Sequence, residues 1–166
     1  MYGFLPFLVL NRFGKSHPVV KKFFVKLRKH EGANLPVGAA GFCWGGKHIV
    51  LLAADEVRVS GKPLMDAGFT GHPSQLSVPV EIERMKLPVS FAVGDKDMEL
   101  SLVQCEQIKS IVEAKPEGQK GEMKIYRDCG HGFCVRADAK FLDVAKQAAE
   151  AEDQCAQWFN KYLAIK

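Results

Sequence analysis

Three side chains stand out by type and by local company: Cys43, Asp97 and His131. Cys43 is centred in Gly41-Phe42-Cys43-Trp44-Gly45-Gly46, between an apolar run, Val37-Gly38-Ala39-Ala40, and an apolar segment of helical composition, Lys47 to Ala54. The pattern is strand, tight turn and helix with a nucleophile at the apex, G-x-S-x-G with cysteine in place of serine. Backbone N–H groups at the start of that helix favour an anion, and such sites take a cysteine pKa from about 8.5 to roughly 3.5–7.5. His131, between Gly130 and Gly132, is placed to take the thiol proton and return it to a leaving group. A carboxylate on its other nitrogen would fix its tautomer. Asp95 and Asp97 compete for that position. Asp97 is favoured because it lies three residues past Gly94, where the strand ends; Asp95 reads as a solvated turn residue. Nucleophile, acid and histidine in this order are the parts needed for acyl transfer. Taken alone, the glycine-rich hexapeptide fits a buried core cysteine equally well, and its downstream partners tip the reading toward a nucleophile.

Positioning these groups requires strands that end where they begin. Val37–Ala40, Ala67–Thr70, Pro88–Val93 and Met123–Tyr126 read as short buried strands. They alternate with helical segments: one opened by His17-Pro18, then Lys47 to Ala54, Leu100 to Ala114 and roughly Ala139 to Leu163. In the first helix Val19, Val20, Phe23, Phe24 and Leu27 form the apolar face, with Lys21, Lys22, Lys26, Arg28 and Lys29 on the solvated one. Leu102, Val103, Ile108, Ile111 and Val112 mark the third. Phe141, Leu142, Ala145, Ala148, Ala149, Trp158, Phe159 and Tyr162 mark the last. Alternating strands and helices predict an α/β fold, a three-layer, doubly wound, mostly parallel sheet. Ligands bind such sheets beyond the carboxyl ends of the strands, and Cys43, Asp97 and His131 all fall at such ends. Gly41 and Gly45 are expected to be small for steric reasons at the strained turn, with Gly46 adding room.

At 166 residues, 47% hydrophobic and 25% charged, the chain fits one globular domain, residues 1–166. Its net charge of +4 is spread along the sequence, without the dense basic block that nucleic-acid binding calls for. The five cysteines are odd in number and lack a framework spacing, so a reducing, cytoplasmic compartment suits them. Cys129-x-His131-x-x-Cys134 has no second cluster to complete a tetrahedral site, and no metal is expected. The apolar start, MYGFLPFLVLNRF, lacks the basic region and cleavage site of a signal and is too short to span a bilayer. It reads as buried chain, and no membrane partner is expected.

The hexapeptide around Cys43, the turn Gly71-His72-Pro73-Ser74, Val93-Gly94-Asp95-Lys96-Asp97 and Gly130-His131-Gly132-Phe133 together resemble the dienelactone hydrolase family, particularly its fungal members. The likeness covers the chain from about residue 17 and corresponds to the C-terminal two-thirds of such proteins, the C-terminal part of an α/β-hydrolase fold. It implies a cofactor-independent hydrolase that opens small esters or lactones through a Cys43-His131-Asp97 triad and an acyl-enzyme. It further implies an oxyanion-hole N–H from Trp44 and substrate contacts from Arg136 and His72. Arg136 lies five positions after His131, where relatives have an arginine at four. His72 has either a pocket or a turn role. The resemblance also implies an N-terminally incomplete domain, without the strands that supply the second oxyanion donor and a glutamate that meets the cysteine. The strand before Cys43 would then be an exposed apolar edge, open to pairing in a homodimer. A catalytically weak chain acting as a binding module, and a redox-sensitive Cys43 thiol, are the alternatives.

Overall fold

The computed structural model describes residues 10–138 and 140–164. Helix α1 spans Phe13–Lys29, strand β1 Gly38–Phe42 and helix α2 Trp44–Leu52. A hairpin follows, β2 Arg58–Val59 and β3 Lys62–Pro63, then β4 Ala67–Gly71 and a short helix, α3 Val80–Glu83. The chain continues as β5 Val89–Lys96, α4 Leu102–Glu113, β6 Glu122–Gly130, α5 Phe133–Arg136 and α6 Leu142–Leu163. The main sheet of the described residues has the order β1-β4-β5-β6 with every pairing parallel.

Both faces of this sheet are covered, as a parallel sheet requires. Period-two alternation sends Val89, Phe91 and Val93 of β5 into one core, with Ile49 and Val50 of α2, Ile108 and Val112 of α4 and Met123 of β6. The intervening Ala92 faces the opposite core, with Phe69, Tyr126, Phe133 and Ala151 of α6. The three-layer parallel architecture expected from the alternation of elements is therefore present.

Several local readings need correction. Helix α1 begins at Phe13, not at His17-Pro18, and carries Pro18 inside it. The ring has no N–H to give to the Gly14 carbonyl, which lies in the exposed first turn of the helix. Val19 and Phe23 are exposed, 66% and 61%, while Val20, Phe24, Val25 and Leu27 pack on the core. Arg28 is not on the solvated face. It is 3% exposed, donating to the carbonyls of Pro63, Gly32 and Leu35 and pairing with Asp66. One guanidinium thus ties the end of α1 to both chains around β1. In α4 the burial falls on Cys105, Ile108 and Val112, with Leu102 and Val103 exposed and a Ser101–Gln104 capping box fixing the start. Helix α6 leaves Phe141, Leu142 and Ala149 exposed, and the expected residue Ala139 lies outside the described residues. The hairpin and α3 escaped notice, because two-residue strands show no periodicity. Ser60 and Gly61, both at positive φ, form its turn. The apolar start falls mostly on residues 1–9, outside the described residues. No helix among the described residues is long and apolar enough to cross a membrane.

Candidate active site

Cys43 sits between the end of β1 and the first residue of α2 with φ 51° and ψ −121°, a backbone region that a non-glycine residue holds only when its surroundings impose it. Its N–H donates to Gly71 O at 3.2 Å, and its own carbonyl accepts from Gly46 N at 3.0 Å and Ser74 N at 3.1 Å. Glycine is required at two places. A Cβ on Gly41 would collide with the Gly45 carbonyl, and one on Gly46 with the Thr70 hydroxyl and Pro73. At Gly45 itself nothing among the described residues stands within 4 Å, so the steric reason expected there does not apply.

The other two groups arrive from β5 and β6. Gly94 allows those strands to touch, since a Cβ there would strike the Cys129 carbonyl. Just past it the pairing register shifts, between Gly94 and Lys96, so that Lys96 pairs with Gly130. Irregularities of this kind re-aim side chains beside sites. Asp95 lies within β5 and Asp97 just past its last residue, Lys96, so alternation along the strand cannot choose between them. The end of the strand does: Asp97 turns back, N–H to Gly94 O at 3.2 Å, and its carboxylate meets His131. Asp95 is half-buried in β5, with one buried carboxylate oxygen that has no hydrogen-bond partner among the described residues, and is not a solvated turn residue.

These elements bring Cys43, His131 and Asp97 into one line of contacts. His131 Nε2 lies 3.1 Å from Cys43 Sγ, and His131 Nδ1 lies 2.9 and 3.1 Å from Asp97 Oδ1 and Oδ2. Asp97 Oδ1 also accepts from Glu99 N–H at 2.9 Å. Burial opposes the charged forms of both the thiol and the imidazole. Hydrogen bonds from His131, Ser74 and the Trp44 backbone outweigh it at Cys43 and hold the thiol below its ordinary value. The contacts with Cys43 and Asp97 likewise raise His131. Both shifts favour a thiolate beside an imidazolium.

Trp44 opens α2, its backbone N–H directed at the sulfur. Its ring stands edge-on to His48 at 4.5 Å and stacks with Phe13 at 5.7 Å. His72 is fully buried at φ 39°, its N–H donating to Ala92 O at 2.7 Å. Its ring lies edge-on to His131 at 5.0 Å between centroids, and neither ring nitrogen has a partner among the described residues. Burial, then the nearby charge of His131, push its pKa down to about 4. It touches His131 through its ring and does not face solvent. Arg136 is exposed on α5, its guanidinium folded over Gly132, which starts that helix at φ 93°.

Two features escaped the sequence reading. Ser74 brings Oγ to 3.9 Å from Cys43 Sγ while only 4% exposed; a hydroxyl at a turn beyond the strand next to β1 was the available signal. The second is a polar seam joining α1 to α2, with His17 Nδ1 3.1 Å from His48 Nδ1 and Ser16 Oγ 3.3 Å from His48 Nε2. Burial first, then His17 and Lys47, lower His48 to about 4. A cavity of about 360 Å³ lies between β1, β4 and α6, lined by Phe42, Phe69, Cys134, Ala151, Glu152 and Cys155 among others and by none of Cys43, His131 or Asp97. A larger one, about 640 Å³, lies between α4, β6 and α6, away from Cys43.

A family model described as the dienelactone hydrolase family matches residues 13–163. The chain is 30% identical over 160 residues to "Hydrolase tropI" of Talaromyces stipitatus, covering 92% of this chain and 58% of that protein. It is 25% identical over 149 residues to "Hydrolase pyvD" of Aspergillus violaceofuscus, covering 90% and 56%. It thus spans little more than half the length of these curated relatives. In fold it is similar to the Pyrococcus furiosus esterase Pf2001, with a TM-score of 0.67 at 11% identity over 93% of this chain and 64% of that one. It is also similar to MGS-M1, an α/β hydrolase from a Medee basin deep-sea metagenome library, at TM-score 0.63 and 14% identity over 92% and 66%.

Proposed function

This chain belongs to the dienelactone hydrolase family, and from that premise we propose that it hydrolyses a small ester or lactone through an acyl-enzyme on Cys43. The observation that supports this most directly is the unbroken contact from Asp97 through His131 to the sulfur. His131 Nε2 takes the thiol proton, and the thiolate attacks the substrate carbonyl carbon. The oxyanion that forms accepts the Trp44 N–H as the sulfur gives up its charge. The C–O bond to the alcohol then breaks, and the departing oxygen receives the proton from His131. Water attacks the thioester next, losing a proton to His131 and releasing the acid with the thiol restored. Asp97 holds the imidazole in the tautomer that presents Nε2 to sulfur. Arg136, exposed on α5 five positions after His131, is the candidate cation for a substrate carboxylate.

Turnover of p-nitrophenyl acetate and a panel of small lactones tests this. The expected result is an acetylated Cys43 by intact mass and activity lost in Cys43→Ala. A wild-type chain no faster than Cys43→Ala would reject it.

One observation favours a second reading, a binding module with weak turnover. Among the described residues β1 has a neighbour on one side only, and in hydrolases of this architecture a second oxyanion N–H comes from the loop after an earlier strand. Losing one such donor costs about 10²–10³ in kcat. The same edge is where a second copy would pair. Sedimentation of a dimer that Ala40→Pro dissociates is the expected sign of that pairing, and a monomer at all concentrations would exclude the pairing.

A further inference from the structure

We propose that Ser74 is the second partner of the reacting sulfur, its buried hydroxyl donating to the Cys43 thiolate and holding it charged between turnovers. This rests on the nucleophilic reading of Cys43. Ser74 grips that residue at two points. Its N–H donates to the Cys43 carbonyl at 3.1 Å, and its Oγ stands 3.9 Å from Sγ. The turn that carries it follows β4, whose last residue, Gly71, accepts the Cys43 N–H, so nucleophile and hydroxyl are fastened to the same stretch of chain. Ser74 is 4% exposed, and among the described residues the sulfur is the one hydrogen-bond partner of its Oγ. A buried hydroxyl needs a partner, and here that need is met by the reacting atom.

The direction of the bond follows the proton. With the thiol intact, S–H donates to Oγ. Once the proton has passed to His131 Nε2, the hydroxyl rotates and O–H donates to the anionic sulfur. The charged form gains the stronger bond. In the thioester the sulfur no longer carries the charge, so the benefit belongs to the resting thiolate and not to the acyl-enzyme.

The test is the pH dependence of Cys43 reacting with dipyridyl disulfide in the wild type, Ser74→Ala, Ser74→Thr and His131→Ala, with Cys43→Ser as the blank for the other thiols. Hydrogen bonds to charged groups span about 1.5–3 kcal/mol, so a 3.9 Å contact at the weak end predicts an inflection about one pH unit higher in Ser74→Ala. Nucleophilicity rises with thiol pKa with a slope of about 0.4–0.5. The variant should therefore react about threefold more slowly than wild type on the acid side and about threefold faster on the alkaline plateau. The two profiles should thus cross. Ser74→Thr, keeping the hydroxyl, should return the wild-type profile. A Ser74→Ala profile that superimposes on wild type while His131→Ala shifts it overturns the role of Ser74 alone. A shift that Thr fails to reverse assigns the effect to packing and overturns it too. If neither Ser74→Ala nor His131→Ala moves the profile, the nucleophile reading itself fails.

Discussion

Replacing Asp97 by asparagine removes one charge from a nearly buried position and leaves the volume unchanged. The carboxylate holds His131 Nδ1 through contacts of 2.9 and 3.1 Å and is 8% exposed. Two bounds set the size of the effect. The lower is a hydrogen bond to a charged group, about 1.5 kcal/mol. The upper is the attraction of unit charges some 4 Å apart at an effective dielectric near 20, about 4 kcal/mol. At 1.36 kcal/mol per decade, kcat should fall by about 10- to 10³-fold. Because Asp97 reaches the substrate only through His131, KM should change little. The pH profile should narrow from both sides. Without the carboxylate the imidazolium loses its proton at lower pH, and the thiol, facing a weaker cation, ionises at higher pH; both reverse the shifts seen at His131 and Cys43. The assay is kcat and KM on p-nitrophenyl acetate from acid to alkaline pH, with circular dichroism to show the fold intact. Asp95→Asn is the internal comparison and should leave the profile where it is. An Asp95→Asn variant as impaired as Asp97→Asn, or a folded Asp97→Asn with wild-type kcat, would refute the reasoning.

Gly46→Ala should cost about 1–3 kcal/mol by overpacking against Thr70 and Pro73, whereas Gly45→Ala, with open space and a helical position, should be neutral or gain up to about 1 kcal/mol; thermal melts separate the two. Arg28→Ala strips three carbonyls and Asp66 of a shared buried donor, and urea unfolding should show a loss of about 3 kcal/mol, the low end for broken buried pairs because Asp66 is partly exposed. His48 is held at about 4 in the folded chain against 6.5 in the unfolded one, so the unfolded state binds more protons between those values. Stability should be complete above pH 6.5 and fall by up to about 3 kcal/mol as pH drops toward 4; His48→Gln should flatten that part of the curve measured by urea midpoints.

The strands that position Cys43 and Asp97 could be read in advance because each is an apolar run reaching a glycine, whereas β6, which positions His131, alternates buried and exposed residues and was legible only over Met123–Tyr126. A buried parallel strand has no polar face to mislead, and a glycine at its end is forced by contact, as at Gly41 and Gly94. What escaped had no such marking. Arg28 looks like its neighbours Lys26 and Lys29, and only the carbonyls of Leu35 and Pro63, brought close by folding, make it a buried tie. The helix faces erred at their ends, where Leu102, Val103, Phe141 and Leu142 continue the apolar composition past the point where the sheet offers cover. Gly45 shows the converse. Its motif position suggests a steric reason, and the structure gives none.

Sheet order poses a distance problem that explains His72. Strands β1 and β6 are separated by β4 and β5, three spacings of about 4.8 Å, yet the sulfur at the end of one and the imidazole beyond the other are 3.1 Å apart. His131 must therefore lean back over the ends of the two intervening strands, and something must hold it at the right height. Asp97 does so from the end of β5. At the end of β4 the support is His72, whose ring meets His131 edge-on and is wedged between Phe42 and Phe133. A charged support would repel an imidazolium 5.0 Å away. Burial lowers the His72 pKa to about 4, which favours a neutral ring beside His131. The two ring nitrogens, without a hydrogen-bond partner among the described residues, are the cost of such an uncharged aromatic support.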